Sequence, residues 1–292
     1  MLSVQSNKNI NEETACLYLV PTPIGNLEDM TFRAVRILKE VDLILAEDTR
    51  NSGHLLKHFD ITTPMQSFHE FSTEEQVDRY IQMLVDGKRL ALISDAGMPL
   101  INDPGHPLVT RMITEQLPII ALPGANAALT ALIASGLASD QFFYLGFFPR
   151  KKQEQEQILD WLGRQRGTAI FYESPHRIKK TVERLSKVLP VETKLVIARE
   201  LTKKFEEFLR GNIVEIQTYL SEFTLKGEIV LMIEAGTLVN YGSQNIDIEN
   251  LKQVVEDWIE VQRVSPIKAI KEVAKQYQLK KQDVYDAYHE LK

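Results

Sequence analysis

From Cys16 to about Glu234 the chain alternates short apolar runs with longer stretches whose apolar residues recur at helical spacing. The runs are CLYLV (16–20), LILA (43–46), LALIS (90–94), IIAL (119–122), FFYLGF (142–147), TAIFY (168–172), KLVIA (194–198) and EIVLMIE (228–234). Runs this short and this uniformly apolar suit strands covered on both faces. Segments 73–86, 107–115 and 175–188 read as helices between them, and the alternation predicts α/β sheets. Thr73 ahead of Glu74, Glu75 and Gln76 is a capped helix start, and Gly87 is a stop.

Eight strands in about 220 residues are many for one sheet, so the pattern predicts two α/β/α domains. Their boundary falls near Leu122-Pro123-Gly124, giving an N-terminal domain over 15–122 and a C-terminal domain over 123–238. The polar residues 1–14 read as a disordered tail. A polar break at 237–245 precedes a purely helical appendage over 245–292. There 249–261, 266–277 and 281–291 carry helical apolar stripes, and Ser265-Pro266 is a cap followed by a first-turn proline. The short turn at 278–281 gives the appendage a helix-turn-helix-like outline. Its expected role is to dock a substrate particle or steady a dimer, outside the chemical step.

Composition narrows the class. The 292 residues are 44% hydrophobic and 25% charged, ordinary globular values. No apolar run approaches the ~20 residues that cross a bilayer. The first fifteen residues lack the apolar stretch of a signal peptide, and residence in the cytoplasm is the expectation. The single cysteine, Cys16, cannot form an internal disulfide and reads as a small buried side chain. His54 and His58 are one helical turn apart with no third ligand at zinc spacing, so no metal is expected.

The net charge of -6 argues against a polyanionic partner until its distribution is considered. Residues 1–149 carry 10 Lys+Arg against 18 Asp+Glu, whereas 150–236 carry 16 against 13. Basic residues cluster as Arg150-Lys151-Lys152, Arg164 with Arg166, Arg177 with Lys179 and Lys180, and Lys203-Lys204. That middle third would draw a polyanion, although a solvated surface has the same composition.

Three glycine-containing turns each follow an apolar run: VPTPIGN (20–26), SDAGMPLINDPG (94–105) and LPGANA (122–127). Ligands of open α/β sheets sit at the carboxyl ends of strands, where such loops lie. Glycine lets backbone approach a ligand, and Ala96 and Ala127 leave room for a flat ring. One such loop would be only a tight turn, but three in succession indicate a site. No G-x-G-x-x-G follows a strand, and no G-x-x-x-x-G-K-[ST] exists. None of the three loops contains lysine or arginine, so the ligand carries no phosphate. S-adenosyl-L-methionine, with adenine, ribose, a zwitterionic tail and a sulfonium, has that character.

The ordered motifs resemble the ribosomal RNA small subunit methyltransferase I family, a branch of the tetrapyrrole methylase superfamily. They are LYLVPTPIGNLEDMTFRA (17–34), AEDTRNSGHLLKHF (46–59), the second and third loops, FYESPHRI (171–178), ARELTKKFEEFLRG (198–211) and KGEIVLMIE (226–234). The resemblance spans roughly 15–236 and implies 2′-O-methylation of a cytidine ribose in the decoding region of 16S rRNA within the 30S subunit. It also implies a homodimer, with the cofactor in the interdomain cleft. Carried over by motif, the cofactor contacts are Pro23 in the first loop and Asp95, Ala96, Gly97, Leu100 and Ile101 in the second. Asn126 and Ala127 come from the third, and Tyr172, Glu173, Lys226 and Gly227 from the second domain. Met98 and Asn126 depart from the pattern, standing where smaller residues are commoner.

A ribose hydroxyl attacking the methyl group needs positioning and a general base. Glu47, Asp48, His69, Glu173 and Glu200 are candidates for the base. Each has a structural alternative: Glu47 and Asp48 beside Arg50, Glu173 beside Arg177, Glu200 beside Arg199, and His69 as a packing residue. Arg150, Lys151, Lys152 and Arg177 are the candidate RNA contacts. Two rival readings remain. A tetrapyrrole methylase would share fold and cofactor, but PTPIGN replaces the G-x-G-P-G-D type of loop expected there. A non-catalytic RNA-binding assembly factor would not need the three uncharged loops.

Overall fold

The computed structural model describes residues 5–6, 14–69, 72–236, 251–262, 264–276 and 279–289. Five strands form the first sheet: β1 (Leu17–Val20), β2 (Leu43–Ala46), β3 (Met65–Ser67), β4 (Leu90–Ile93) and β5 (Ile119–Ala121). They are all parallel, in the order β3-β2-β4-β1-β5. Strand side chains alternate between two buried layers, which is why β1, β2, β4 and β5 are apolar throughout. Tyr18, Val20, Ala91 and Ile93 pack against helices α1 (Phe32–Glu40) and α2 (Thr49–His58). Leu17, Leu90 and Leu92 pack against α3 (Glu74–Val85) and α4 (His106–Thr114).

This strand order creates a switch point. From β1 the chain crosses over β4 to reach β2, while from β4 it crosses over β1 to reach β5. The helices that follow these strands lie on opposite faces, so the loops after β1 and β4 diverge and leave a crevice between them.

The second sheet contains β6 (Phe142–Phe147), β7 (Gly167–Glu173), β8 (Lys194–Arg199), β9 (Glu207–Asn212) and β10 (Ile229–Ala235). Its order is β6-β7-β10-β8-β9, and only the β6–β7 pair is parallel. Helices α6 (Lys152–Gly163), α7 (Ile178–Leu185) and α8 (Ile213–Glu222) cover one face. Helix α5 (Ala127–Ser135) covers the other, seating Ala128, Ala131 and Leu132 on Ile170, Val196, Val230 and Met232. The third loop thus carries the chain from β5 directly onto the second sheet.

Local signals placed the elements well. Thr73 and Gln76 form a reciprocal capping box at the start of α3, and Gly87 adopts φ +88 after it. His54 and His58 lie exposed on α2, and Cys16 is fully buried. The tail expected at 1–14 falls largely outside the described residues. Within it, the Gln5 side-chain amide accepts from the Ile119 N–H and donates to its carbonyl, at 2.9 and 2.7 Å. The break expected at 237–245 also lies outside the described residues. Beyond it, α9 (Leu251–Gln262), α10 (Pro266–Gln276) and α11 (Lys281–Tyr288) pack around Val255, Ala269, Val273 and Val284. No helix among the described residues is long and apolar enough to cross a membrane.

Phe171 of β7 is fully buried, with its ring edge-on to Phe148 at 5.2 Å between centroids. Truncation by Phe171→Ala removes most of that contact and leaves a cavity. The expected loss is about 3–5 kcal/mol, read as a lowered urea midpoint for the second domain.

Candidate cofactor cleft

The loops after β1 and β4 are joined by an isolated antiparallel bridge. The Thr22 N–H donates to the Gly97 carbonyl at 2.9 Å, and the Gly97 N–H donates back at 3.0 Å. The Thr22 hydroxyl donates to the Ser94 carbonyl at 3.0 Å, and the Ser94 hydroxyl donates to the Gly97 carbonyl at 3.1 Å. The third loop closes on the first at Gly124, where a Cβ would stand 2.6 Å from that of Pro21. Any side chain there would push the loops apart.

The second loop is strained. Leu100 and Asn102 adopt φ 70 and 69, although neither is glycine. Such left-handed residues persist only where the surroundings hold them, and they cluster at functional sites. Leu100 packs into the core beneath the loop, while the Asn102 side chain accepts from the Tyr144 hydroxyl at 2.8 Å. Asp95 points the other way: it accepts from the Asp48 N–H at 3.1 Å and the Asn51 amide at 3.0 Å. That pair of bonds ties the loop to the start of α2.

Between the domains these loops enclose a cleft of about 350 Å³. Ile24, Ala96, Gly97, Met98, Ile101, Asn102 and Asp103 line it from the first domain, and Asn126 and Ala127 from the head of α5. Phe147, Tyr172, Glu173, Ser174, Pro175, Leu201 and residues 227–230 line it from the second. No lysine or arginine is among the lining residues. The cleft therefore suits a flat, partly apolar ligand without phosphate.

Of the residues proposed from sequence, Ala96, Gly97, Ile101, Asn126, Ala127, Tyr172, Glu173 and Gly227 line this cleft. Pro23, Asp95, Leu100 and Lys226 do not. Pro23 sits between the bridge residue Thr22 and the lining residue Ile24, and Asp95 and Leu100 hold the second loop from behind. Lys226 faces a neighbouring recess. Asn126 has a local task, since its side chain accepts from the Leu129 N–H at 3.0 Å and caps α5.

Aromatic rings of the second sheet pack together beside the cleft. Tyr172 stands edge-on to Tyr144 and Phe147, at 5.2 and 5.7 Å. Burial pushes the hydroxyl pKa of Tyr144 and of Tyr172 upward, so both remain neutral hydrogen-bonding groups.

The carboxylates differ sharply in their surroundings. Asp48 caps α2, and its bonds with Arg50 hold it down to about 2. Glu173 has a fully buried side chain that accepts from the Thr181 hydroxyl and the Ser174 N–H, both at 2.7 Å. Arg177 lies 3.4 Å from it and donates onward to the carbonyls of Phe148 and Pro149. This arginine is turned inward and fixes the turn that leads to α6. Glu200 accepts from the Lys203 ammonium at 2.9 Å and the Glu228 N–H at 3.1 Å, which lowers its pKa. His69 lies in the loop after β3, away from the cleft lining.

Asp103 was not singled out from sequence. Burial, reinforced by the negative charges of Glu47 and Asp95, pushes it up to about 6 against the opposing Ser94 hydrogen bond. In the sequence it is one aspartate before Pro104, which reads as a turn residue. Glu47 comes from another segment and Ser94 and Asp95 from the far end of its own loop, and only the fold assembles them.

Of the basic cluster, Lys151 pairs with Glu154 at 3.0 Å and Lys152 with Glu156 at 3.6 Å, at the exposed start of α6. Arg150 is exposed beside them. Among the described residues, no group of three or more His, Cys, Asp or Glu side chains is arranged to hold a metal ion.

The family model for tetrapyrrole (corrin/porphyrin) methylases matches residues 16–217. A ribosomal RNA small subunit methyltransferase I from Streptococcus pyogenes is 46% identical over 290 residues, covering 99% of this chain and 100% of its own. One of the same name from Halalkalibacterium halodurans is 45% identical over 291 residues, again covering 99% and 100%. A crystal structure of diphthine synthase superimposes with a TM-score of 0.61 over 76% of this chain and 91% of that one. At 14% identity that last likeness is one of fold. Matched end to end by such relatives, the chain belongs to the ribosomal RNA small subunit methyltransferase I family of the tetrapyrrole methylases.

Proposed function

We propose that the chain methylates the 2′-hydroxyl of a cytidine ribose in the decoding region of 16S rRNA within the 30S subunit, acting as a cytoplasmic homodimer. S-adenosylmethionine is the methyl donor and supplies an electrophilic methyl group on a sulfonium. The chain's part is to hold the donor among Ala96, Gly97, Ala127 and Tyr172, exclude water, and take a proton from the incoming hydroxyl.

Asp103 carries this reading. A hydroxyl attacks well only if its proton has somewhere to go, and a base works best with a pKa near the working pH. Asp103 lines the cleft with a pKa of about 6. Arg50 and Lys203 hold Asp48 and Glu200 below the usual carboxylate range, which makes them poorer bases, and the Glu173 oxygens are already occupied by Thr181, Ser174 and Arg177. The rRNA substrate follows from the names of the full-length relatives. The decisive experiment maps ribose methylation in 16S rRNA from cells with and without the protein, alongside labelled methyl transfer to purified 30S subunits or a porphyrinogen. Transfer to the porphyrinogen alone would replace the RNA reading with the tetrapyrrole one.

For the dimer, α5 offers a second copy its outward apolar residues, Leu129 at 44% exposure and Ile133 at 82%. Ile133→Glu should convert the protein to monomers in sedimentation; an unchanged mass would move the interface elsewhere.

Two further outcomes concern the chemistry. Because Asp103 must be ionised to accept a proton, kcat/KM should fall about tenfold per pH unit below about 6 and level off above it. Asp103→Asn should lower kcat by about 10²–10⁴ and abolish that limb, with S-adenosylhomocysteine affinity little changed. An active variant with the native pH profile would exclude this residue as the base.

Gly97 has φ +85, and a Cβ there would meet the Ile24 methyl at 3.4 Å. Gly97→Arg should therefore fill the cleft and weaken S-adenosylhomocysteine binding more than about 100-fold, about 2.7 kcal/mol. Titration calorimetry measures the loss, and far-UV circular dichroism checks that the fold is retained.

A further inference from the structure

Next to the cofactor cleft lies a second recess of about 280 Å³, lined by Arg199, Glu200, Phe205, Thr224, Lys226 and Gly227. Gly227 borders both, so the recess adjoins the cleft proposed above for the methyl donor. Phe205 stands at its edge with 64% of its surface exposed.

The segment that presents Phe205 is firmly held. Glu200 and Thr202 adopt φ 50 and 65, and the Thr202 N–H donates to the Glu206 carboxylate at 2.6 Å. The Lys203 ammonium bridges Glu200 and Glu228 at 2.9 and 2.8 Å. From the first domain, Gly25 packs so closely that a Cβ there would lie 3.0 Å from the Leu201 carbonyl. The ring is therefore displayed on a fixed arm instead of being left over at the tip of a loose loop.

The charges around it are arranged selectively. Arg199 is committed, donating to Glu207 at 2.6 Å and to the Lys226 carbonyl at 3.4 Å. Lys204 and Lys226 are exposed, and neither ammonium makes an ion pair among the described residues. The Lys204 ammonium lies 5.6 Å from the Phe205 ring centre. A displayed aromatic face with two available cations around a concavity is how single-stranded nucleic acid is held: bases stack and phosphates pair.

We propose that this recess binds one unpaired nucleotide adjacent to the methylated one, its base stacked on Phe205 and its phosphates met by Lys204 and Lys226. The inference rests on the RNA reading above and adds to it a site for a flanking nucleotide. Stacking is tolerant of base identity, so the recess would hold the strand in place without reading its sequence.

The test uses the full-length protein and purified 30S subunits, with affinity measured across a salt series and S-adenosylhomocysteine binding as a parallel readout. Phe205→Ala should weaken 30S binding about 5- to 150-fold while leaving cofactor affinity and salt dependence unchanged. Phe205→Trp should restore binding, whereas Phe205→Leu should not, because only a flat ring stacks. Lys204→Gln and Lys226→Gln should each reduce the slope of log affinity against log salt by about 0.7. Native affinity for Phe205→Ala, or full rescue by Phe205→Leu, would overturn the stacking subsite while the RNA reading stood. Wild-type protein that neither binds nor methylates 30S subunits would overturn both.

Discussion

The antiparallel bridge between Thr22 and Gly97 is the constraint on which the cleft depends. It forms where two neighbouring parallel strands end and their chains diverge, so no sheet hydrogen bonds are left to hold the loops together. Thr22 is almost wholly buried, and breaking the bridge would strand its peptide groups away from water. Each buried polar group left unpaired costs about 1–3 kcal/mol. The bridge fixes the backbone of Gly97, which presents Ala96 and Met98 to the cleft. Beyond it the chain must turn back within a few residues to start α4, and the left-handed Leu100 and Asn102 are the consequence. The interdomain contact from Tyr144 to Asn102 then reads the position of that strained turn directly.

A second constraint is electrostatic. Carboxylates crowd the walls of the cleft, and the fold distinguishes them by the donors it supplies. Glu173 is buried, and its two hydrogen bonds with Arg177 nearby organise the turn at Ser174. Asp103 has burial and two acidic neighbours against it and one hydroxyl in its favour. It holds its proton more tightly than an ordinary carboxylate, yet it is mostly ionised at neutral pH. A cation bound beside it would relieve the repulsion and lower its pKa again, so the free and liganded proteins should titrate differently.

Much of this was legible in the sequence, for reasons that also explain the gaps. The eight apolar runs all became strands, because burial on two faces leaves no polar position to disguise them. The two strands that were missed are edges. In β3 the sequence is only Met-Gln-Ser, and β9 reads Glu-Phe-Leu-Arg-Gly-Asn, with one side open to solvent. The antiparallel arrangement of the second sheet leaves no mark on composition, since α5 and three other helices bury both of its faces as in a parallel sheet. Within the cleft, the glycines and alanines were recognisable from their loops. Asp103 was not, because its pKa is set by burial, by Glu47 from another segment and by Asp95 from the far end of its own loop. Phe205 was passed over for a related reason: its exposure is a fact of the fold, and a lone phenylalanine in a charged run reads as core.

The distribution of cations suits the ligand proposed for the cleft. A sulfonium is repelled by any ammonium or guanidinium in the same low-dielectric space, so the lining has to be free of lysine and arginine, and it is. Yet a polyanionic substrate needs cations close to the same reaction centre. The fold meets both demands by committing the nearest ones to carboxylates. Lys203 lies between Glu200 and Glu228, Arg177 beneath Glu173, and Arg50 against Asp48. Their charges are largely cancelled at short range, and they act as struts. The cations left available, such as Lys204 and Lys226, stand one layer further out, where solvent screens them from the cleft but not from a strand lying across it. The local pairing of charge around the cleft and its availability outside it are therefore a single arrangement.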